Sequence, residues 1–351
     1  MRRLLIPFRG QSRRTTSGPY DLATEDDLYY CYRLLLHREP DAAGWQYWKE
    51  QIERGLVSLK SLTTSFLMSD EFLRAQLHTG YAELRMAAEQ LEAVSLEGFQ
   101  LYVRKGDPVG EVITETRSYE PHVTRVLREV LKAGDVFVDI GANLGYFSLL
   151  AASLVGPEGR VIAFEPNPSN CLLIRSSIAR NGFETIELHA NAVAERQESF
   201  ILEVDGSNGR ILPSPSEAAS PDKAASVAFP HSYLVQAVVL DELLAGEERI
   251  NVVKVDIEGA EPRALRGMTR LVQRHRPVLI TEFFPSMLAS TSGAEAVGYL
   301  DALREFDYAL CVIDAEGGRS VPQSNDEIFD ALAQSGSDHL DLLALPEGRS
   351  G

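Results

Sequence analysis

Cysteine is scarce in this chain: Cys31, Cys171 and Cys311 are the three in 351 residues, they stand far apart, and no C-x-x-C pair occurs. That spacing supports neither a disulfide framework nor a zinc site and fits reduced thiols filling a core. Positive charge is in short supply as well. Lys and Arg number 34 against 51 Asp and Glu, a net charge of −17, so a nucleic-acid backbone is repelled unless a local basic patch intervenes, and none stands out beyond the amino-terminal arm. No run approaches the roughly 20 apolar residues of a membrane span, and the apolar piece Leu4 to Phe8 is too short for the hydrophobic region of a signal peptide. A soluble, cytoplasmic protein with no nucleic-acid partner is expected. Residues 1–20, with Arg2, Arg3, Arg9, Arg13 and Arg14, read as a flexible basic tail, solvated in preference to bound to anionic lipid or polymer.

What remains is ordinary globular composition, 44% hydrophobic and 24% charged, with length enough for two domains. One stretch organises the rest. Val136, Phe137, Val138 and Ile140 form a short apolar run expected of a strand buried on both faces, Gly141 stops it, and after Gly145 the residues Phe147, Leu149, Leu150, Leu154 and Val155 recur at helical spacing. The pattern is strand, glycine turn, helix, in which glycines tolerate positive φ and let a ligand approach the backbone. The order Asp139-x-Gly141-x-Asn143-x-Gly145 does not satisfy G-x-G-x-x-G, which disfavours a nucleotide-linked oxidoreductase. An acid at the strand end suits instead a cationic ligand such as S-adenosylmethionine. Val161 to Phe164 reads as the next strand, ending in Glu165, an acid able to accept both hydroxyls of a ribose.

Along the chain, residues 21–77 read as a small helical domain. Leu28, Tyr32, Leu35 and Leu36 give a first stripe, Trp45, Trp48 and Ile52 a second, Leu62, Phe66 and Leu67 a third, and Ser69-Asp70-Glu71-Phe72 opens a fourth helix. Residues 78–96 read as a connecting helix with Leu84, Leu91 and Val94 on one side. The second domain is assigned to 97–345. It opens with a strand alternating at Phe99, Leu101 and Val103, neighboured by Val112-Ile113, and then a helix bearing Val123, Val126, Leu127 and Leu131. Asn181-Gly182 ends the helix after Glu165, and Ile186 to Ala190 forms a third strand. Asn191 follows, either at an adenine edge or as a turn residue. The Gly, Pro, Ser and Ala-rich segment from Asp205 to His231 is too long for an ordinary connector and reads as an active-site lid.

Two further buried strands empty into acids: Val252 to Val255 into Asp256, Glu258 and Glu261, and Val278 to Thr281 into Glu282. Parallel strands aim their carboxyl ends at one crevice, so Asp139, Glu165, Asp256, Glu258 and Glu282 should converge there. Like charges so gathered require a cation, a proton or a hydroxyl-rich ligand. Asp256 and Glu258 are the candidates to face an acceptor, as a proton-accepting base or as simple partners of sugar hydroxyls. A divalent cation held by Asp256 and Glu282 is the less favoured reading, because the ligand spacing is not that of a metal site.

The words Tyr119-Glu120-Pro121, Val138-Asp139-Ile140-Gly141-Ala142-Asn143-Leu144-Gly145-Tyr146-Phe147-Ser148, Phe164-Glu165-Pro166-Asn167, Leu240-Asp241-Glu242-Leu243-Leu244 and Lys254-Val255-Asp256-Ile257-Glu258-Gly259-Ala260-Glu261 occur in that order. Through them the chain resembles the FkbM family of S-adenosylmethionine-dependent methyltransferases over roughly residues 97–345. The resemblance implies an α/β, Rossmann-like class I methyltransferase fold and O-methylation of a hydroxyl on a sugar, glycan or secondary metabolite. The residue reading then assigns Asp139, Gly141, Asn143 and Gly145 to the methionine end of the cofactor, Glu165 to the ribose, and Asp256 and Glu258 to the acceptor side, and the resemblance adds Glu120 at the methionine end. Residues 21–77, through Tyr32 to Gly44 and Phe66 to Phe72, resemble a bacterial helical domain of unknown function. That resemblance implies an N-terminal all-α domain with an interaction or positioning role toward a protein or glycan. A catalytically inactive glycan-binding or scaffolding protein on the same fold is the alternative, against which the intact Asp139, Gly141, Gly145 and Glu165 speak.

Overall fold

The computed structural model describes residues 22–36, 38–67, 69, 91–212, 232–314 and 321–348. The basic tail, the fourth helix expected after Ser69 and the connecting helix up to residue 90 lie outside them. The chain divides into two compact units, 1–67 and 68–351. In the first, three helices, Glu25–Leu35, Ala42–Glu53 and Leu59–Leu67, follow the three apolar stripes. Thr24 and Asp27 close a capping box on the first helix, and the Asp41 carboxylate accepts the Gly44 N–H of the second, so each helix start is fixed by a side chain. Leu28 and Leu62 are fully buried, and the rings of Tyr32 and Phe66 meet edge-on at 4.8 Å. Among the described residues of this unit the regular elements are helices, as expected.

The second unit begins with an antiparallel pair, β1 (Leu91–Ser95) and β2 (Gln100–Arg104). Its main sheet contains β3 (Val136–Ile140), β4 (Arg160–Phe164) and β5 (Ile186–His189). A smaller sheet is made of β6 (Ala192–Val193), β7 (Ser199–Asp205), β8 (Asn208–Leu212) and β9 (Ser232–Val238). The main sheet resumes with β10 (Val252–Val255), β11 (Val278–Phe283), β12 (Tyr308–Val312) and β13 (Leu340–Pro346). Its seven strands run in the order β12-β13-β11-β10-β3-β4-β5. All neighbours are parallel except β13, which is antiparallel to both β11 and β12. This doubly wound order with one reversed strand is the Rossmann-like class I methyltransferase fold.

Alternate residues of each central strand feed two cores. Val138, Ile140, Val253 and Val255 pack with Leu265, Leu271 and Leu300 of the helices on one face, while Phe137, Val252 and Ile280 pack with Val126, Leu127 and Leu150 on the other. Both faces are thus covered by helices, which is why these strands read as unbroken apolar runs. The strand order reverses direction between β3 and β10, and a crevice opens at such a switch point beyond the carboxyl ends of the strands.

Three local expectations are corrected. Leu91–Ser95 is a strand and not the end of a connecting helix: Gly98, at φ 91°, turns the chain so that Leu96 N–H reaches Phe99 O at 2.8 Å, and the five residues before it are handed to β2. Val112-Ile113 is not a neighbouring strand, because Asp107 accepts the Gly110 N–H at 3.0 Å and Pro108 stands in the first turn, which starts the helix Pro108–Thr116. The segment from Asp205 is not irregular at its start. Gly206, at φ 62°, closes a hairpin pairing Asp205 with Asn208, and Asn208–Leu212 continues as β8. Residues 213–231 lie outside the described residues.

A chain shortened to begin at residue 90 is expected to retain a single cooperative melt, whereas one beginning at Gln100 loses β1 and its fully buried Val94. Burial of one such side chain contributes about 2 kcal/mol, so the shorter chain should melt ~5 °C lower or more. Equal melting temperatures by circular dichroism would show that β1 is dispensable.

Candidate active site

A cavity of about 400 Å³ opens at the carboxyl ends of β3, β4, β10 and β11, within the roughly 300–1,000 Å³ range of small-ligand pockets. Glu120, Gly141, Asn143, Glu165, Asn191, Asp256 and Glu258 all line it, as does Glu282. Asp139 and Gly145 do not. Asp139 sits behind the wall, 1% exposed, with its carboxylate accepting the Ser148 hydroxyl at 2.5 Å. Gly145 holds φ 89° at the start of the helix Tyr146–Val155, where a β-carbon would press on Ile174 and Leu149.

Gly141 serves the packing as much as any ligand. A β-carbon there would lie 1.9 Å from the Asp256 carbonyl oxygen, so the missing side chain lets the β10 turn close against the β3 turn. Asn143 holds φ 52°, its N–H donates to Glu165 Oε2 at 2.7 Å, and Asn167 N–H donates to Glu165 Oε1 at 2.7 Å. One carboxylate therefore ties the first turn to the second. Burial pushes the Glu165 carboxyl up to about 8, against the pull of those two N–H groups. Asn191 lines the cavity, and its Nδ2 donates to the Gln236 carbonyl of β9 at 3.3 Å.

At the centre stands Lys254, 3% exposed, in register with Asp139 across the β3–β10 boundary. Its ammonium donates to Asp256 Oδ2 at 2.7 Å and lies 4.7 Å from the centre of the Phe147 ring. Burial works to lower its pKa, but the carboxylates of Asp256, Glu120 and Asp139 together raise it, so the ammonium stays charged. Two of the acids around it, Glu120 and Asp139, are raised. Burial is the leading cause for Glu120, pushed to about 7, and for Asp139. Glu120 adopts φ 40° and leaves Oε2 buried without a protein partner, and Asn143 Oδ1 is in the same condition.

The turn after β10 is held by a residue the sequence reading did not place in the site. Glu261, 1% exposed at the start of the helix Glu261–Gly267, accepts Ile257 N–H at 2.9 Å and Gly259 N–H at 3.2 Å through Oε1. Glu258 is thereby fixed at φ 54°, and the Thr291 hydroxyl donates to its carbonyl at 2.9 Å. Gly259 has no room for a side chain, since a β-carbon would stand 2.3 Å from the Met287 carbonyl oxygen. Burial and the neighbouring Asp256, Glu261 and Glu258 raise Glu282 to about 10, and its Oε2 is buried without a partner. Among the described residues no group of three or more His, Cys, Asp and Glu is arranged to hold a metal ion. Phe284, Asp338 and His339 complete the wall beyond Glu282, with Leu202, Asn208 and Ile211 from the β7–β8 hairpin. They belong to no sequence motif; only the topology brings them here.

A methyltransferase FkbM domain profile matches residues 139–310, and a domain of unknown function (DUF4214) matches residues 13–76. Residues 139–310 are an FkbM methyltransferase domain. The chain is similar to the hexuronic acid methyltransferase AglP of Haloferax volcanii, 29% identical over 163 residues, which are 46% of this chain and 61% of that protein. It is similar to a protein-L-isoaspartate O-methyltransferase of Methanopyrus kandleri at 28% over 114 residues, 30% of this chain and 49% of that one. The chain thus spans from about half to three-fifths of the length of these curated relatives. Among solved structures it is similar to a methyltransferase FkbM from Methylobacillus flagellatus, at 13% identity and a TM-score of 0.37, covering 87% of this chain and 71% of that one. Among the described residues no helix is long and apolar enough to cross a membrane.

The Glu261 tether of the FkbM domain makes a prediction about pH. Burial lifts its carboxyl from the ordinary 4.5 to about 7, so between those values the folded chain holds more protons than the unfolded one and stability falls as pH rises. Glu261→Gln keeps an acceptor oxygen for the two N–H groups and removes the titration. Its stability curve between pH 5 and 6.5 should be flatter than the wild type's by about 1.4 kcal/mol per pH unit, read from urea melts. Parallel curves would show that Glu261 does not carry that proton.

Proposed function

We propose that this protein is an S-adenosylmethionine-dependent methyltransferase that methylates a hydroxyl oxygen of a sugar or glycan. The observation that carries the reading is the cavity lined by Glu120, Asn143 and Glu165, in which Glu120 Oε2 and Asn143 Oδ1 are buried without a protein partner. Both require a hydrogen-bond donor, which the ammonium of the cofactor's methionine part provides. Glu165, already holding one N–H on each oxygen, keeps lone pairs for ribose hydroxyls, and Asn191 stands toward the adenine. Asp139 acts from behind the wall, through Lys254 and Ser148.

When bound, S-adenosylmethionine supplies a methyl carbon on a sulfonium, and transfer to a hydroxyl leaves a neutral thioether and one proton to be taken up. The residues of this chain align the acceptor and accept that proton. Asp256, with its side chain 27% exposed beside the cavity and one oxygen on Lys254, is the base in this reading, and Glu258 orients the acceptor. The acid-lined wall supports a hydroxyl acceptor over a carboxylate, which needs no base and would be repelled. The sugar class follows the hexuronic acid methyltransferase similarity and the hydroxyl-accepting wall.

Asp256→Asn is expected to bind S-adenosylmethionine within a few-fold of wild type by calorimetry and to slow transfer on the order of 10² to 10⁴-fold. The rate is read as S-adenosylhomocysteine release with a hydroxylated sugar, and the product should be an ether stable to mild alkali. Wild-type turnover would remove the base role; lost cofactor binding would make Asp256 a cofactor residue; an alkali-labile ester would move the reaction to a carboxyl group.

A further inference from the structure

The far wall of the cavity has no part in holding the cofactor under the reading above. Phe284 follows β11, His339 precedes β13, and their rings meet at 5.6 Å between centroids with a 39° tilt, both facing the cavity. Aromatic faces carry partial negative charge and favour the polarised C–H groups of an apolar ligand face. Next to them Glu282 presents a buried carboxyl oxygen that no protein group satisfies. Val255 pairs in register with Thr281, so the following residues, Asp256 and Glu282, stand on adjacent strand ends about 4.8 Å apart. One side of this subsite is therefore an apolar platform, and the other is a pair of adjacent hydrogen-bond acceptors.

Charge narrows the occupant further. Facing the cavity are the acidic residues Glu120, Glu165, Asp256, Glu258, Glu282 and Asp338, of which burial holds Glu165 and Glu282 as neutral carboxyls at pH 7, and a single ammonium, Lys254. Lys254 is committed to Asp256 at 2.7 Å, His339 Nδ1 lies 2.9 Å from Asp338 Oδ1, and Arg210, which acts on Glu258 from outside the wall, is paired with Glu203 at 2.8 Å. Among the described residues lining the cavity, the one Lys or Arg side chain already has its carboxylate. An anionic acceptor would find no uncommitted cation on this wall to offset its desolvation.

We propose that Phe284, His339 and Glu282 form the acceptor subsite, and that it selects a neutral pyranose with a free hydroxyl beside the one methylated, in preference to a uronic acid. The proposal rests on the methyltransferase reading above. The ring's C–H face lies on Phe284 and His339, the reacting hydroxyl donates to Asp256, and the neighbouring hydroxyl donates to Glu282. The preference runs opposite to the substrate named for the Haloferax relative.

The test uses the full chain with S-adenosylmethionine and a panel of methyl glucopyranoside, galactopyranoside and mannopyranoside beside the matching glucuronide and galacturonide. Their binding to the S-adenosylhomocysteine complex is measured by calorimetry as well as turnover. At least one neutral glycoside is expected to bind and react with kcat/KM about tenfold or more above its uronide. Phe284→Ala should raise acceptor Kd and KM about tenfold with kcat and S-adenosylhomocysteine affinity nearly unchanged, and Phe284→Tyr should restore both. Glu282→Ala, which removes the carboxyl that receives the neighbouring hydroxyl, should raise acceptor KM for the neutral glycoside severalfold with S-adenosylhomocysteine affinity unchanged. Uronides preferred or equal, no neutral glycoside bound, or an unchanged acceptor KM in Phe284→Ala overturns the subsite while cofactor binding stands. Absence of cofactor binding overturns the methyltransferase reading, and the subsite with it.

Discussion

A buried ammonium surrounded by carboxylates is the constraint on which the rest of the site depends. Lys254 stands where the strand order reverses, in register with Asp139 and bonded to Asp256. Without it, the acids aimed at the crevice by β3, β10 and the helix start at Glu120 would have no buried counter-charge, and burial would drive them to their protonated forms. The same residue is a strand residue with both flanking valines buried, so the charge is delivered by the apolar run that builds the core. Fold and electrostatics are here the same object. A buried ion pair is weak evidence for stability, and the arrangement is better understood as fixing which carboxylates remain ionised beside the cavity.

Around that centre each turn is fixed by a carboxylate that accepts backbone N–H groups. Glu165 clamps the turns after β3 and β4, and Glu261 clamps the turn after β10. The left-handed residues Asn143 and Glu258 sit at the clamped turns, where the surroundings over-determine a conformation that costs on the order of 1 kcal/mol. The acids thus divide by role. Glu165 is tethered to the backbone through both oxygens and Glu261 through Oε1 alone, while Glu120, Glu261 and Glu282 each keep an unsatisfied Oε2.

Much of this was legible in the sequence, for identifiable reasons. Strands buried on both faces are written as apolar runs, so Val136–Ile140, Val252–Val255 and Val278–Phe283 stood out, and Asp139, Asp256 and Glu282 lay at or just past their carboxyl ends. Errors arose where a local signal competed with periodicity. Asp107-Pro108 is a helix start that outweighed the β-branched pair Val112-Ile113, and Leu91 and Val94 share a helical spacing that a strand also permits over so short a window. Gly141 was read for ligand access, while its missing side chain makes room first for the Asp256 carbonyl. Phe284 and His339 were not legible at all, because two residues far apart in the chain meet only through the antiparallel pairing of β11 with β13.

That pairing has a consequence for synthesis. Of the seven strands in the main sheet, β13 is translated last, yet it lies between β11 and β12. While the ribosome is still reading the residues before Leu340, β12 has no neighbour, and β11 shows an open slot of unpaired N–H and C=O groups to the cell. Such an edge is a template for pairing with another chain. The nascent protein therefore passes its most adhesive moment just before the sheet closes, and a codon that stalls translation ahead of β13 prolongs it.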